Sequence, residues 1–265
     1  MSTWNLVSDY NAMTLISLLV FAFLAGFIDA VVGGGGLIQL PALLINLPNV
    51  AIPTLFGTNK IAALSGTSVA AYRYSKRIKF DFGLLLTVAL FAFLFSFLGA
   101  KAVSQIDVNK LKPIILVILV VIAVYTFIKK ELGAVPSKAL SRKRQMIYGT
   151  AIGTIIGFYD GFFGPGTGSF LVLGFVVVLG FEFIAASAYS KVINCITNIS
   201  ALIVFIHQGS FILGIGLLMA VGNISGSIIG SRLAIKKGNG FIRLIFLFIV
   251  VMMIIKYAFD IYSSM

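Results

Sequence analysis

The chain has 265 residues, of which 60% are hydrophobic and 11% charged, and its mean hydropathy is +1.09. Soluble domains carry about 25% charged residues, so this balance excludes a soluble globular protein and indicates an integral membrane protein. The net charge of +12 sits mostly in short basic clusters between apolar runs, where it orients a membrane protein and does not point to nucleic acid.

Cys195 and His207 are the single cysteine and the single histidine. An intrachain disulfide and a thiolate metal cluster are therefore excluded, a histidine metal site is not expected, and no cofactor is implied. The apolar runs suit a helical bundle, because a membrane barrel shows weaker alternating segments of about ten residues. Met1 to Asn11 lacks the basic stretch that opens a cleavable signal peptide.

The first apolar run, Ala12 to Val32, leads into Gly33 to Gly36, four glycines in a row, with Asp29 just before them and Pro41 just after. Glycine costs roughly 1 kcal/mol against alanine inside a helix, so this stretch is not ordinary helix. One straight helix from residue 12 to residue 47 would reach about 54 Å at about 1.5 Å per residue, against a hydrocarbon core about 30 Å thick. The segment therefore breaks and turns, and at that depth a turn must be covered by protein or line a wet cavity. Leu37 to Leu47 is too short to span. Ile52 to Tyr72, Phe82 to Val103 and Leu111 to Ile128 complete the first half.

The pattern then returns. Gly157, Phe158 and Asp160 lie 131 positions after Gly26, Phe27 and Asp29, and the same offset relates Lys191 to Lys60 and Gly164 to Gly33. A constant offset without gaps marks two copies of one unit. The expected organisation is a first transmembrane repeat over 1–131, a basic cytoplasmic linker over 132–145 and a second repeat over 146–265. Second-half segments are Met146 to Phe163, Ser169 to Phe183, Ile184 to Ile206, Phe211 to Ile235 and Phe241 to Tyr262.

Charge sets the expected topology. The first 59 residues hold no Lys or Arg, so the N-terminus is expected outside. Arg73, Lys76, Arg77 and Lys79, then the central linker, then Lys236 and Lys237 read as inside loops. These positions agree with both termini outside if the halves are inverted relative to each other. A parallel arrangement puts positive charge on both faces. The expected fold is an all-α polytopic bundle of two inverted repeats with broken or re-entrant helices at the glycine turns.

Lys60 and Lys191 lie inside otherwise membrane-compatible segments, among Thr58, Asn59, Ser190, Asn194 and Asn198. A charge near the midplane costs from about 3 kcal/mol upward, so it is normally paired, wetted or functional. Two readings stay open. Lys60 pairs with Asp29 and Lys191 with Asp160 as structural ion pairs, or two ammonium groups converge on an anion. Gly33, Gly34, Gly35 and Gly36, with Gly164, Gly166, Thr167 and Gly168 in the second copy, favour the anion. Helices restarting after Gly36 and Gly168 present free amides and a positive dipole end. Asp29 and Asp160 would then hold the lysines or carry coupling protons. By contrast, Gly149, Gly153, Gly157 and Gly161, and Gly222, Gly226 and Gly230, recur every fourth residue and read as helix packing. Neither glycine cluster has P-loop or dinucleotide spacing.

GFIDAVVGGGG–LIQLPALL, the GTNK segment and the glycine-bearing repeat after the basic loop together resemble the TauE/SafE sulfite exporter family, also described as toluene sulfonate uptake permeases. The resemblance covers nearly the whole chain, with Gly-Pro-Gly-Thr-Gly replacing the four-glycine run in the second half. It implies transport of sulfur-containing anions such as sulfite or sulfonates across a prokaryotic inner membrane. Expected partners are a small anionic solute and membrane lipid, with a homodimer left open. An anion channel, an intramembrane enzyme using Asp29, Lys60 or His207, and a non-catalytic assembly partner are the alternatives.

Overall fold

A computed structural model describes residues 10–103 and 140–262. The expected segment Leu111 to Ile128 and linker residues 132–139 lie outside the described residues. All regular structure among the described residues is helical. In chain order the helices are α1 (Ala12–Val32), α2 (Gly36–Asn46), α3 (Ile52–Ser75), α4 (Phe82–Ala102), α5 (Arg142–Phe162), α6 (Thr167–Leu173), α7 (Phe183–His207) and α8 (Leu213–Tyr262).

Local chemistry sets the ends. Asn11 caps α1 by accepting from the Thr14 amide at 2.8 Å, and Asp81 caps α4 through Leu84 at 3.2 Å. Gly33 stops α1 with a φ of 88°, a left-handed conformation that glycine adopts without strain. α6 passes into a π turn at Gly174–Val178, and α8 is broken at Gly238, with φ 77° and ψ −167°. α5 opens at Arg142 behind an extended Ser141, so Arg142 to Gln145 are helical, and Arg142 pairs with Asp81 of α4. Each second-half helix starts 130 or 131 positions after a first-half helix: α5 after α1, α6 after α2, α7 after α3 and α8 after α4.

Four helices, α1, α4, α7 and α8, are long and apolar enough to cross a membrane. α3 and α5, at 24 and 21 residues, match them in length but are more polar. Leu86, Leu90, Leu94 and Leu98 form an exposed row on α4, as expected for a lipid-facing surface.

The two glycine stripes decide how the halves meet. Gly222, Gly226 and Gly230 of α8 lie against Leu19, Phe23 and Phe27 of α1 in ascending order, so these helices run parallel in close contact. Gly149, Gly153 and Gly161 of α5 climb Leu84, Val88 and Ser96 of α4 in the same way. Each half thus lends its fourth helix to the other half's first. α3 follows α8 in parallel, with Gly57, Ile61 and Gly66 beside Ser210, Gly216 and Asn223. α3 runs against α7: Gly57 lies by Phe205 and Ser68 by Cys195. α4 and α7 run together, from Asp81 and Tyr189 at one end to Lys101 and His207 at the other. α1, α3 and the first arm of α8 therefore point one way, and α4, α5 and α7 the other.

This arrangement gathers charge at one end. Arg73, Lys76 and Arg77 line a hollow with Arg232 and Lys236, and Arg142 stands near by on Asp81. At the far end, Tyr10, Leu47, Val50, Leu55 and Ile212 form an apolar cluster, and Lys101 at the end of α4 is the basic side chain beside His207 there.

Candidate functional site

Asp29 and Asp160 occupy the last turns of α1 and α5, where helix dipoles end negative, and each meets a lysine there. The pairing crosses between the halves. Lys60 Nζ lies 2.7 Å from Asp160 Oδ2 and donates to the Asp160 carbonyl at 3.0 Å. Lys191 Nζ lies 3.4 Å from Asp29 Oδ2 and donates to the Asp29 carbonyl. The expected alternative of Lys60 with Asp29 and Lys191 with Asp160 is thus corrected. The reason is the packing: α3 and α7 cross at the centre, so each lysine reaches the opposite half's carboxylate. Thr67 Oγ1 adds a bond to Asp29 Oδ2 at 3.0 Å. Among the described residues, Oδ1 of each aspartate accepts no hydrogen bond.

The glycine turns meet beside these pairs. Ser169 donates its amide to the Gly33 carbonyl at 3.1 Å and its hydroxyl to the Val32 carbonyl at 3.0 Å. Gly33 and Gly168 touch backbone to backbone, and a Cβ on either would overlap the other. Gly164 and Gly166 both have positive φ, 91° and 85°, so the second turn needs glycine even with Pro165 between them. The helices restart at Gly36 and Thr167, slightly earlier than the sequence indicates. The amides of Gly35, Gly166 and Gly168 have no backbone acceptor among the described residues.

Between the turns lies a cavity of about 30 Å³. Asp29, Asp160 and Lys60 line it, with Gly33, Gly35, Gly36, Gly164, Gly166, Thr167, Gly168, Asn59, Asn194 and Asn198. Such a volume takes little more than a water, which occupies roughly 10–15 Å³ on this measure. Of the other expected residues, Lys191 is fully buried behind Asp29, and Gly34 is in the turn but off the lining. Ser190 supports the turn from outside, donating to the Gly168 carbonyl at 2.9 Å. Thr58 lies elsewhere: its hydroxyl accepts from the Ile212 amide at 2.9 Å and so ties α3 to the start of α8.

Sequence reasoning missed Gln39 and Asn223, which also line the cavity. Gln39 Nε2 donates to the Asn59 carbonyl at 3.5 Å, which turns its Oε1 towards Asn223 Nδ2 at 2.5 Å. A glutamine fully inside an eleven-residue apolar helix was the available signal for it.

Broken helices abutting at a buried, charged cavity within a multi-pass helical bundle define a membrane transporter architecture. The comparisons agree. The chain matches the family described as sulfite exporter TauE/SafE over residues 18–257, and it belongs to that family. It is 38% identical over 239 residues, 89% of each chain, to the Sinorhizobium "probable membrane transporter protein ORF9". It is 33% identical over 264 residues to the Escherichia coli K12 "probable membrane transporter protein YfcA", covering 98% of this chain and 95% of that one. A Haemophilus influenzae "probable membrane transporter protein" is 34% identical over 254 residues, 95% of this chain and 97% of its own. No solved structure gives a significant match. The protein is a multi-pass membrane transporter of the TauE/SafE family.

Proposed function

We propose that the protein is a secondary transporter of small sulfur-containing oxyanions such as sulfite or a sulfonate, bound between two inverted repeats. The observation that carries this is the pair of crossed lysine–aspartate contacts beside two abutting glycine turns, with Lys60, Asp160 and Asp29 lining the cavity and Lys191 behind Asp29. Opposed helix directions in the two halves support inversion, and the basic end of the bundle supports a cytoplasmic position for that face.

In this reading Lys60 and Lys191 supply positive charge, and Gly35, Gly166 and Gly168 supply amides. Asn59, Asn194 and Asn198 supply hydrogen bonds to the remaining oxygens. Desolvated, preoriented donors of this kind bind an oxyanion through charge-assisted hydrogen bonds, the strongest class available to them. Thr58 has no part in the site.

The test is a thermal-stability screen of the purified chain with sulfite, thiosulfate, methanesulfonate, sulfate, acetate, alkali cations and sugars. Bound anion stabilises the folded state by RT ln(1 + [L]/Kd), about 2.7 kcal/mol at a hundredfold excess over Kd. Stabilisation by cations or sugars alone sinks the reading. Uphill flux of the same anion in proteoliposomes then separates a coupled transporter from a channel.

A further inference from the structure

We propose that anion binding at this site is coupled to proton uptake by Asp29 and Asp160, one proton for each negative charge on the anion. The inference rests on the anion reading above and adds the coupling ion and its stoichiometry.

Two carboxylates line the cavity, but a single ammonium does, because Lys191 stands behind Asp29. An anion entering that lining faces more negative than positive charge. It is also excluded by volume while Lys60 stays on Asp160. Binding therefore requires a lysine to exchange its carboxylate oxygen for an oxygen of the anion, and the carboxylate it releases must be neutralised where it stands.

The geometry provides the place for the proton. Both aspartates use Oδ2 for the lysine and leave Oδ1 without a hydrogen-bond partner among the described residues. A proton from the aqueous phase adds to a lone pair of Oδ1 and makes the neutral acid. The ammonium N–H then passes from Oδ2 to the incoming anion, and no covalent bond of the anion changes. The proton needs only that one lone pair, and it neutralises the carboxylate at the residue the lysine has left.

The remaining neighbours offer no competing charge. Tyr74 of α3 donates its hydroxyl to the Ala30 carbonyl at 3.1 Å and Cys195 of α7 meets Ser68, and both are side chains whose ordinary form at neutral pH is uncharged. Thr67 also comes from α3, Asn194 and Asn198 from α7, Gln39 from α2, Asn223 from α8 and Thr167 from α6. A monoanion takes Lys60 from Asp160, so one proton enters. A dianion also requires Asp29 neutral and Lys191 free, so two enter. Loaded and empty sites then carry the same charge, and the cycle is electroneutral.

The experiment uses the purified full chain in weakly buffered detergent with a pH indicator. Methanesulfonate and sulfate are the probes, since neither changes its own protonation between pH 6 and 8. The expected result is uptake of about one proton per methanesulfonate bound and about two per sulfate. Affinities should weaken about tenfold and about a hundredfold per pH unit on the alkaline side. Asp29→Asn with Asp160→Asn should bind without proton uptake and without pH dependence, and if that variant does not fold the wild-type proton count decides. Binding with no proton uptake, or binding that requires sodium, overturns the coupling while leaving the anion site intact. No binding of either probe at any pH removes the anion site and the coupling with it.

Discussion

Replacing Lys60 with Met removes one ammonium and keeps the apolar stem. Lys60 and Asp160 are almost completely buried, with side-chain exposures of 5% and 3%, so the substitution leaves a carboxylate alone in the protein interior. Removing one partner of such a pair costs about 3–5 kcal/mol. Asp160→Asn strands the ammonium instead and should cost a similar amount. The double variant strands no charge and loses only hydrogen bonds, so it should be more stable than the sum of the singles by about 2 kcal/mol or more. Unfolding of all four proteins in one detergent gives the coupling energy. Addition of the single effects to within about 0.5 kcal/mol would show that the two groups are not paired. Flux separates the pair's structural role from its binding role. Folded Lys60→Met and the double variant should both be inactive in proteoliposomes, because the ammonium lines the cavity in neither. Lys60→Arg should fold yet transport poorly, since its planar fork does not fit where a compact ammonium sits. Full flux in a folded Lys60→Met, Lys191→Met protein refutes the site.

A Cβ on Gly157 would lie 2.7 Å from Ala92 Cα, so Gly157→Ala must push α4 and α5 apart and should cost about 1–3 kcal/mol. Gly240→Ala meets nothing within 4 Å and should be neutral or stabilising by up to about 1 kcal/mol; equal melting shifts for the two would deny the close helix contact. In a Cys195→Ala background, cysteines at Lys76 and Lys236 should react only with reagents that reach the cytoplasm, and cysteines at Asn49 and Gln208 with external ones. Labelling of Lys76 and Lys236 positions from opposite sides would break the proposed topology.

The element boundaries were legible because the breaks are chemical. Gly33, Gly164 and Gly166 take positive φ at helix ends, Pro48 and Asn49 mark the turn between α2 and α3, and the polar stretch Ser75–Asp81 parts α3 from α4. The partner of each lysine was not legible. The 131-residue offset maps Asp29 and Lys60 onto Asp160 and Lys191, and both the within-half and the crossed pairings respect that mapping. Only helix packing distinguishes them. Repeat symmetry also hid Gln39 and Asn223, whose counterparts are Phe170 and Ala92, residues that draw no attention to the position. Thr58 misled for the converse reason: its place next to Asn59 and Lys60 in sequence puts it on the opposite side of α3, where it holds Ile212.

The exchange of partners bears directly on how such a molecule works. α1 packs on α8 and α5 on α4 through backbone-close glycine contacts, so neither half can separate from the other without exposing polar groups to lipid. Motion between halves is then a slide or a tilt along these interfaces, and both ion pairs, which join one half to the other, are stretched by the same displacement. If the halves are inverted repeats, interchanging them leaves the contact scheme intact but reverses the membrane. The described arrangement is not symmetric under that interchange: Lys60 faces the cavity, while Lys191 is shut behind Asp29. With inverted repeats, the interchanged form would have Lys191 on the cavity and Lys60 shut behind Asp160, and would open to the opposite side. Under the proposed inversion and anion binding, these two arrangements would be separated by the breaking of two ion pairs that the anion and its protons replace, and they would form the bistable element that alternating access requires.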